Sequence, residues 1–359
     1  MSANAADTKV NGRLYADWNL DLTDGAESAN SFNLSRTYVT VKSKLSDYTS
    51  VRITSDLRQD SDIYDGYFVI IKYGYLDWSP KFGKKALKIR LGLQPTLYID
   101  NMNKFWGRRY LYKTTGDANK YLTTSDLGAT AFVNIGNKGE NGYLALQILN
   151  GTSYTDVEEM NANKNFGLFA LLNPFKNNEQ YKRSALVAQF YTGTQNVSLE
   201  TDIDSSGTPM IVYENDSKQF KHQVISFGGM LGVSDKADIG VDVNLLTMGQ
   251  GYADSADAQG FAVALDDRKS SAMSFFGTWY FGNSAEDNSL FRTLNLFGRY
   301  DIVDPNTDVD NDGKSLIIAG VECTPTKGFK ASVNVRSTSY ELSGKDSQTH
   351  VFVNTLFKF

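Results

Sequence analysis

The stretch Lys85-Ala86-Leu87-Lys88-Ile89-Arg90-Leu91-Gly92-Leu93-Gln94-Pro95 alternates residue by residue. Leu87, Ile89, Leu91 and Leu93 fall on one side of an extended chain, and Lys88, Arg90, Gly92 and Gln94 fall on the other. A period of two is the signature of a strand with one apolar and one polar face. In water such a strand needs a second layer over its apolar face. In lipid the apolar face can point outward while the polar face lines an interior.

The same alternation recurs along the chain. Phe329, Ala331, Val333 and Val335 oppose Lys330, Ser332, Asn334 and Arg336, and Ile239, Val241, Val243 and Leu245 oppose Asp242 and Asn244. Val51, Ile53 and Leu57 oppose Arg52, Asp56 and Arg58 in the same way. Sixteen such segments can be drawn, at 10–22, 32–44, 48–58, 66–79, 85–95, 126–136, 142–150, 164–174, 182–194, 219–233, 236–250, 270–282, 291–304, 314–325, 328–341 and 348–359. No long segment shows the 3.6-residue period of a helix.

The connections alternate too. Leu45-Ser46-Asp47, Gly136 to Asn141, Gly232 to Ala237 and Thr324 to Gly328 are short and rich in turn formers. Those between them, at 95–126, 150–163, 195–218, 250–270 and 304–313, are longer and polar. Short turns on one side and long loops on the other mark an outer-membrane barrel. Tyr15, Trp18, Tyr75, Trp78, Tyr191, Trp279, Tyr280, Phe357 and Phe359 sit near segment ends, where interfacial aromatic girdles are expected. The fold class is therefore all-β: one transmembrane antiparallel β-barrel of sixteen strands over 10–359, preceded by a periplasmic tail at 1–9.

Composition agrees. The 359 residues include 20 Tyr, 21 Phe and 30 Gly, but only 6 Pro, 2 His and 1 Cys. Abundant aromatics exclude disorder, and the single Cys323 excludes a disulfide framework within the chain. No uncharged apolar run approaches the roughly 18 residues of a membrane helix. A net charge of −5 offers no whole-chain field for nucleic acid. Ala3-Asn4-Ala5-Ala6 reads either as the remnant of a small-residue cleavage motif or as a plain polar tail. The last residues, Val351 to Phe359, stop in mid-alternation on an aromatic residue, which suits a strand closed into a barrel in a bilayer.

Asn33-Leu34-Ser35-Arg36-Thr37-Tyr38-Val39-Thr40-Val41-Lys42, Tyr75-Leu76-Asp77-Trp78, Leu91-Gly92-Leu93-Gln94, Gly298-Arg299-Tyr300-Asp301, Asp304-Pro305-Asn306 and the final Phe-Lys-Phe resemble the phosphate-selective porin O and P family. The likeness spans nearly the whole chain through loose motifs. It implies a sixteen-stranded, typically trimeric outer-membrane channel. It does not imply phosphate selectivity, because the family's dense arginine ladder has no residue-by-residue match here.

In a barrel of about sixteen strands the lumen holds water. Strand-borne charge belongs there, since Arg or Lys on the lipid face costs about 2–4 kcal/mol at the membrane midplane. Arg36, Arg52, Lys88, Arg90, Arg299 and Arg336 are thus expected to line the pore, with Arg13, Lys72 and the acids Asp17, Asp56, Asp77, Asp242, Asp301 and Glu322. The third loop, 95–126, is expected to fold inward and to present Lys104, Arg108, Arg109 and Lys113 at a constriction. A mild anion preference would follow; a neutral, general-diffusion lining braced by ion pairs is the plainer alternative.

Asp308-Val309-Asp310-Asn311-Asp312-Gly313 spaces three carboxylates as a calcium loop does, although its twelfth position is Ala319 rather than Glu. Calcium at Asp308, Asp310 and Asp312 is one reading and a plain turn is the other. No other cofactor is expected. His222 and His350 lie far apart with no compact Ser/His signature, so no enzyme is expected. The functional expectation is passive diffusion of small hydrophilic solutes or ions across the outer membrane of a Gram-negative bacterium. The partners would be outer-membrane lipid and lipopolysaccharide, the solutes themselves, and two further copies in a homotrimer. The alternative is a surface-binding or adhesin barrel, or the barrel of a larger outer-membrane complex, using loops 195–218 and 250–270.

Overall fold

The computed structural model describes residues 7–26, 29–60, 64–83, 86–197, 220–256, 262–282 and 293–359. In chain order the strands are β1 Asp7–Asp21, β2 Asn30–Lys44, β3 Thr49–Asp60, β4 Tyr64–Trp78, β5 Leu87–Pro95, β6 Ser125–Ile135, β7 Gly142–Leu149, β8 Asn165–Leu172, β9 Ala185–Thr194, β10 Lys221–Ser234 and β11 Ala237–Met248. β12 Tyr252–Ala256 and β13 Ala262–Ala264 pair only with each other. β14 Arg268–Tyr280, β15 Asn295–Asp304, β16 Lys314–Thr326, β17 Phe329–Tyr340 and β18 Gln348–Lys358 complete the wall. Sixteen strands close on themselves, and each corresponds to one of the sixteen alternating segments. β1 and β18 seal the barrel antiparallel, from Arg13 opposite Lys358 to Asp21 opposite His350.

Burial follows the alternation. Along β7, Leu144, Leu146 and Ile148 are exposed while Ala145, Gln147 and Leu149 are buried. The pattern repeats in β6, β8, β9, β10 and β11, so the wall carries an outward belt of exposed Val, Leu, Ile and Phe. Such a belt would be penalised in water and is at home in hydrocarbon. Buried charge gathers on the other face: Asp56, Lys72, Arg90, Asp242, Arg299, Asp301 and Glu322 are all nearly inaccessible.

Three expectations need correction. β1 begins at Asp7, so residues 7–9 belong to the barrel, and 1–6 lie outside the described residues. Tyr15, Tyr75 and Tyr191 are not girdle residues. Tyr15 and Tyr191 are buried and Tyr75 lines the interior, because each shares its parity with a polar neighbour rather than an apolar one. Trp78, Trp279 and Phe357 do face outward, and Phe357 stacks on its cross-strand neighbour Phe329 at 4.7 Å. The short-turn side is also less uniform than expected, since the connections at 173–184 and 281–294 are long; of the latter, 283–292 lie outside the described residues.

Candidate functional site

The third loop leaves β5 at Pro95 and forms α1, Leu97–Trp106, then α2, Thr115–Ala118. Tyr98, Met102 and Trp106 recur every four residues and make one buried face. Gly107 ends α1 at φ 68°, a left-handed conformation that suits glycine, and its N–H donates to the Asn103 carbonyl at 3.0 Å. The apolar face of α1 packs with the inward side of β6 to β11, where Phe132, Phe169, Val187, Tyr191, Val224 and Leu246 form one cluster with it. Gly228 on β10 leaves room both for the neighbouring strand and for the helix, because a Cβ there would stand 2.7 Å from the Val241 carbonyl oxygen, 2.8 Å from the Met102 sulfur and 3.0 Å from the Tyr98 hydroxyl. The next segment carries Trp106, Tyr110 and Leu111 to a second cluster, with Tyr15, Tyr38, Phe297, Ile318 and Leu356. The third loop therefore lies inside the barrel.

Buried polar contacts pin it there. The Tyr98 hydroxyl donates to Asp242 at 2.8 Å, and the Thr115 N–H donates to the same carboxylate at 3.3 Å. Arg299 grips Asp301 with two bonds, at 2.7 and 2.6 Å, and donates to the Lys113 carbonyl at 2.7 Å. The Tyr110 hydroxyl donates to Glu322 at 2.7 Å. These bonds exclude water, so each is stronger than an exposed equivalent.

Between the loop and the wall of β1 to β5 a cavity of about 800 Å³ stays open. Eight cationic side chains line it: Arg13, Lys42, Arg52, Lys72, Arg90, Lys104, Arg109 and Lys358. The acid among the lining residues is Asp100, which sits 2.7 Å from Lys104. Tyr15, Tyr38, Tyr73 and Tyr75 line the same space. A low-dielectric wall carrying one sign of charge focuses its field into the opening.

The four third-loop residues singled out from sequence separate into two environments. Lys104 and Arg109 reach the cavity, and Arg109 lies 3.4 Å from Asp117. Arg108 does not line the cavity. It is buried against the wall, donates to the Thr278 hydroxyl at 2.8 Å, lies 3.6 Å from Glu322 and covers the Phe297 ring at 4.5 Å. Lys113 stands 3.8 Å from Asp117, and burial pushes its ammonium below the usual lysine range.

The six strand residues also separate. Arg52 and Arg90 line the cavity. Arg90 holds Asp77 with bonds of 2.7 and 2.9 Å and lies 4.0 Å over the Tyr75 ring. Arg36 pairs with Asp56 at 3.0 Å, Lys88 lies 4.0 Å over Phe132, and Arg299 serves the loop anchor just described. Arg336 donates to Asn334 at 3.0 Å and Asn354 at 2.8 Å and covers Phe352 at 3.6 Å.

Two cavity cations stood outside the lining expected from sequence, Lys42 and Lys358, while Arg13 and Lys72, expected in the lumen, do line the cavity. Lys42 and Lys358 sit close to strand ends, where charge also suits a solvated turn. Lys72 is a bulge residue. Opposite it the register passes from Ser55↔Ile71 to Thr54↔Tyr73, which turns both Lys72 and Tyr73 inward. Its ammonium donates to the Thr124 hydroxyl at 2.9 Å and lies 4.1 Å over the Tyr154 ring.

The calcium reading is not supported by the geometry. Among the described residues no three His, Cys, Asp or Glu side chains are placed to hold a metal ion, so Asp308, Asp310 and Asp312 do not converge. The composition of that loop is explained by its turn: the Asn306 side chain accepts from the Asp308 N–H at 3.3 Å, and Asn311 takes φ 64°. His222 contacts the Tyr121 carbonyl at 2.8 Å, and His350 lies 3.6 Å from Asp21.

A closed barrel of sixteen antiparallel strands with its third loop inside the lumen is an outer-membrane porin fold. Solved structures superpose on it over nearly their full length. The chain is 11% identical to an anion-selective porin from Comamonas acidovorans, at a TM-score of 0.63 over 99% of this chain and 100% of that one. It is 12% identical to the outer membrane channel DcaP of Acinetobacter baumannii, at 0.63 over 99% and 97%. It is 12% identical to a trimer form of OmpT, an outer membrane protein of Vibrio cholerae, at 0.62 over 99% and 100%. No family model and no curated protein sequence matches the chain.

Proposed function

We propose that this chain is a channel of the Gram-negative outer membrane that passes small hydrophilic solutes by diffusion and prefers anions. The observation that carries the reading is the cavity beside the third loop, with eight cationic side chains against Asp100. Diffusion needs no cofactor and no catalytic group, and the site offers an aqueous path with a charged lining. A homotrimer embedded in lipid and lipopolysaccharide fits the trimer form of the Vibrio cholerae structure. Membership in the phosphate-selective porin O and P family is the finer reading, and it stands on the sequence motifs.

Planar-bilayer recording of the refolded protein in a KCl gradient tests the proposal. Steady open channels with a reversal potential on the anion side are expected. A potential on the cation side would overturn the anion preference. A correctly folded barrel that carries no current would overturn the channel itself and favour a surface-binding barrel.

A further inference from the structure

We propose that the fourth loop, the connection 150–164 between β7 and β8, supplies a second, outer constriction of the channel, in which Tyr154 closes on Lys72 and Asp56 and limits the size of the solutes that pass. This deepens the channel reading above and rests on it: two different loops narrow one path in series, the third with α1 and the fourth with a single aromatic ring.

Most of the lumen's circumference is filled by the third loop. The apolar clusters that hold it draw on β6 to β11, β14 to β16, β18, β1 and β2, and among the described residues they include none from β3, β4 or β5. Those three strands line the open cavity instead, through Arg52, Thr54, Lys72, Tyr73, Tyr75 and Arg90. Toward the loop side the cavity lining stops at Tyr38 on β2 and at Thr54 on β3, and the next inward positions are Arg36 and Asp56. The way from the cavity to the loop side leads past these two residues, and Tyr154 stands against them.

The fourth loop is bent inward by its root and by a turn. The buried Asp126 carboxylate accepts from the Gly151 N–H at 2.8 Å and from the Thr152 hydroxyl at 2.9 Å, which draws the chain back over the end of β6. The Ser153 hydroxyl then accepts from the N–H groups of Thr155 and Asp156, at 3.1 and 3.0 Å, and Tyr154 stands at the tip of this turn. The Tyr154 hydroxyl donates to Asp56 at 3.3 Å, and its ring lies 4.1 Å from the Lys72 ammonium, a cation on an aromatic face. Arg36 donates to the same Asp56 oxygen at 3.0 Å, and Lys72 donates at 2.9 Å to Thr124, at the end of the third loop. Wall, third loop and fourth loop meet at this point. A ring held there takes up space that a small side chain would leave to water.

The test is planar-bilayer recording of the refolded barrel with polyethylene glycols of graded size in the bath, which reads unitary conductance and the largest polymer that enters. Tyr154→Ala should raise the conductance roughly 1.5-fold and admit larger polymers, because pore width at a constriction limits passage. Tyr154→Trp should lower both, a direction that a loosened loop does not mimic. Tyr154→Phe keeps the ring and loses the bond to Asp56, so it should keep the wild-type size limit with a noisier current. Tyr154 lies in a loop, so folding should persist, and heat-modifiable migration on gels checks it. Wild-type conductance and size limit in folded Tyr154→Ala and Tyr154→Trp barrels overturn the constriction and leave the channel reading standing. A rise in both variants shows that any change at Tyr154 merely loosens the loop, and overturns the role of the ring. Wild type and Tyr154→Ala both folded and both without current overturn the channel reading, and the constriction with it.

Discussion

Arg108 and Arg109 are adjacent in the chain, and the loop carries them to different surroundings. Arg109 lines the open cavity, whereas Arg108 is packed between Thr278, Phe297 and Glu322. Arg109→Glu should therefore move the reversal potential toward cations, changing the permeability ratio roughly twofold or more through the focused field. Arg108→Met should leave the ratio near wild type, and a change as large as that of Arg109→Glu would contradict the placement. Glu322 poses a stability question instead. It is buried among Tyr110, Arg108 and Lys330. Glu322→Gln leaves those cations without their counter-charge and should cost about 3 kcal/mol. Denaturant unfolding in detergent, followed by tryptophan fluorescence, reads this directly because Trp106 is buried in the loop that Glu322 anchors. Residue types alone could place all these charges in the lumen. They could not say which were spent on packing.

At the scale of elements, the strands were legible and the third loop was legible only in part. Sixteen alternating segments map onto sixteen wall strands because one physical demand, apolar outward and polar inward, acts on every residue of every strand. The helix α1 escaped that reading, being ten residues long in a chain dominated by period two. Its signals were present: Pro95-Thr96 before it, Tyr98, Met102 and Trp106 at four-residue spacing, and Gly107 after it. Gly228 leaves room for α1 against the wall, and also for the Val241 carbonyl of the next strand. Gly228→Val should crowd both α1 and the Val241 carbonyl of the wall, cost about 1–3 kcal/mol by overpacking and, where α1 is what yields, raise the unitary conductance and its noise. An unchanged open-channel current from a folded Gly228→Val barrel would show that α1 does not limit the path.

At the scale of the whole molecule, the net charge and the lumen charge have opposite signs. The chain carries −5 overall, yet the open side of the lumen is lined by eight cationic side chains against one acidic side chain. Closure produces this, because it gathers strands far apart in sequence and leaves other charges on turns, loops and buried pairs. A selectivity that arises from this field must weaken with salt. The Debye length falls from about 10 Å at 0.1 M to about 3 Å at 1 M ionic strength. The proposed anion preference should therefore be clear in dilute KCl gradients and should decline toward the ratio of bulk mobilities near 1 M. A preference that did not change with salt would point to steric selection instead.

What the sequence determined by itself was the wall: the number of strands, their boundaries to within a few residues, which face meets lipid, and that strand-borne charge lies inside. Each follows from local alternation and from the cost of placing polar groups in hydrocarbon. The tertiary structure decided the site. Whether a given arginine faces water or braces the loop depends on Asp242, Glu322 and Gly228, which lie more than a hundred residues from the loop they hold. The pairing of Arg13 with Lys358 exists only because the first and last strands meet. Distances between such residues are set by barrel closure and by a bulge at Lys72, and neither leaves a local mark that residue spacing can reveal.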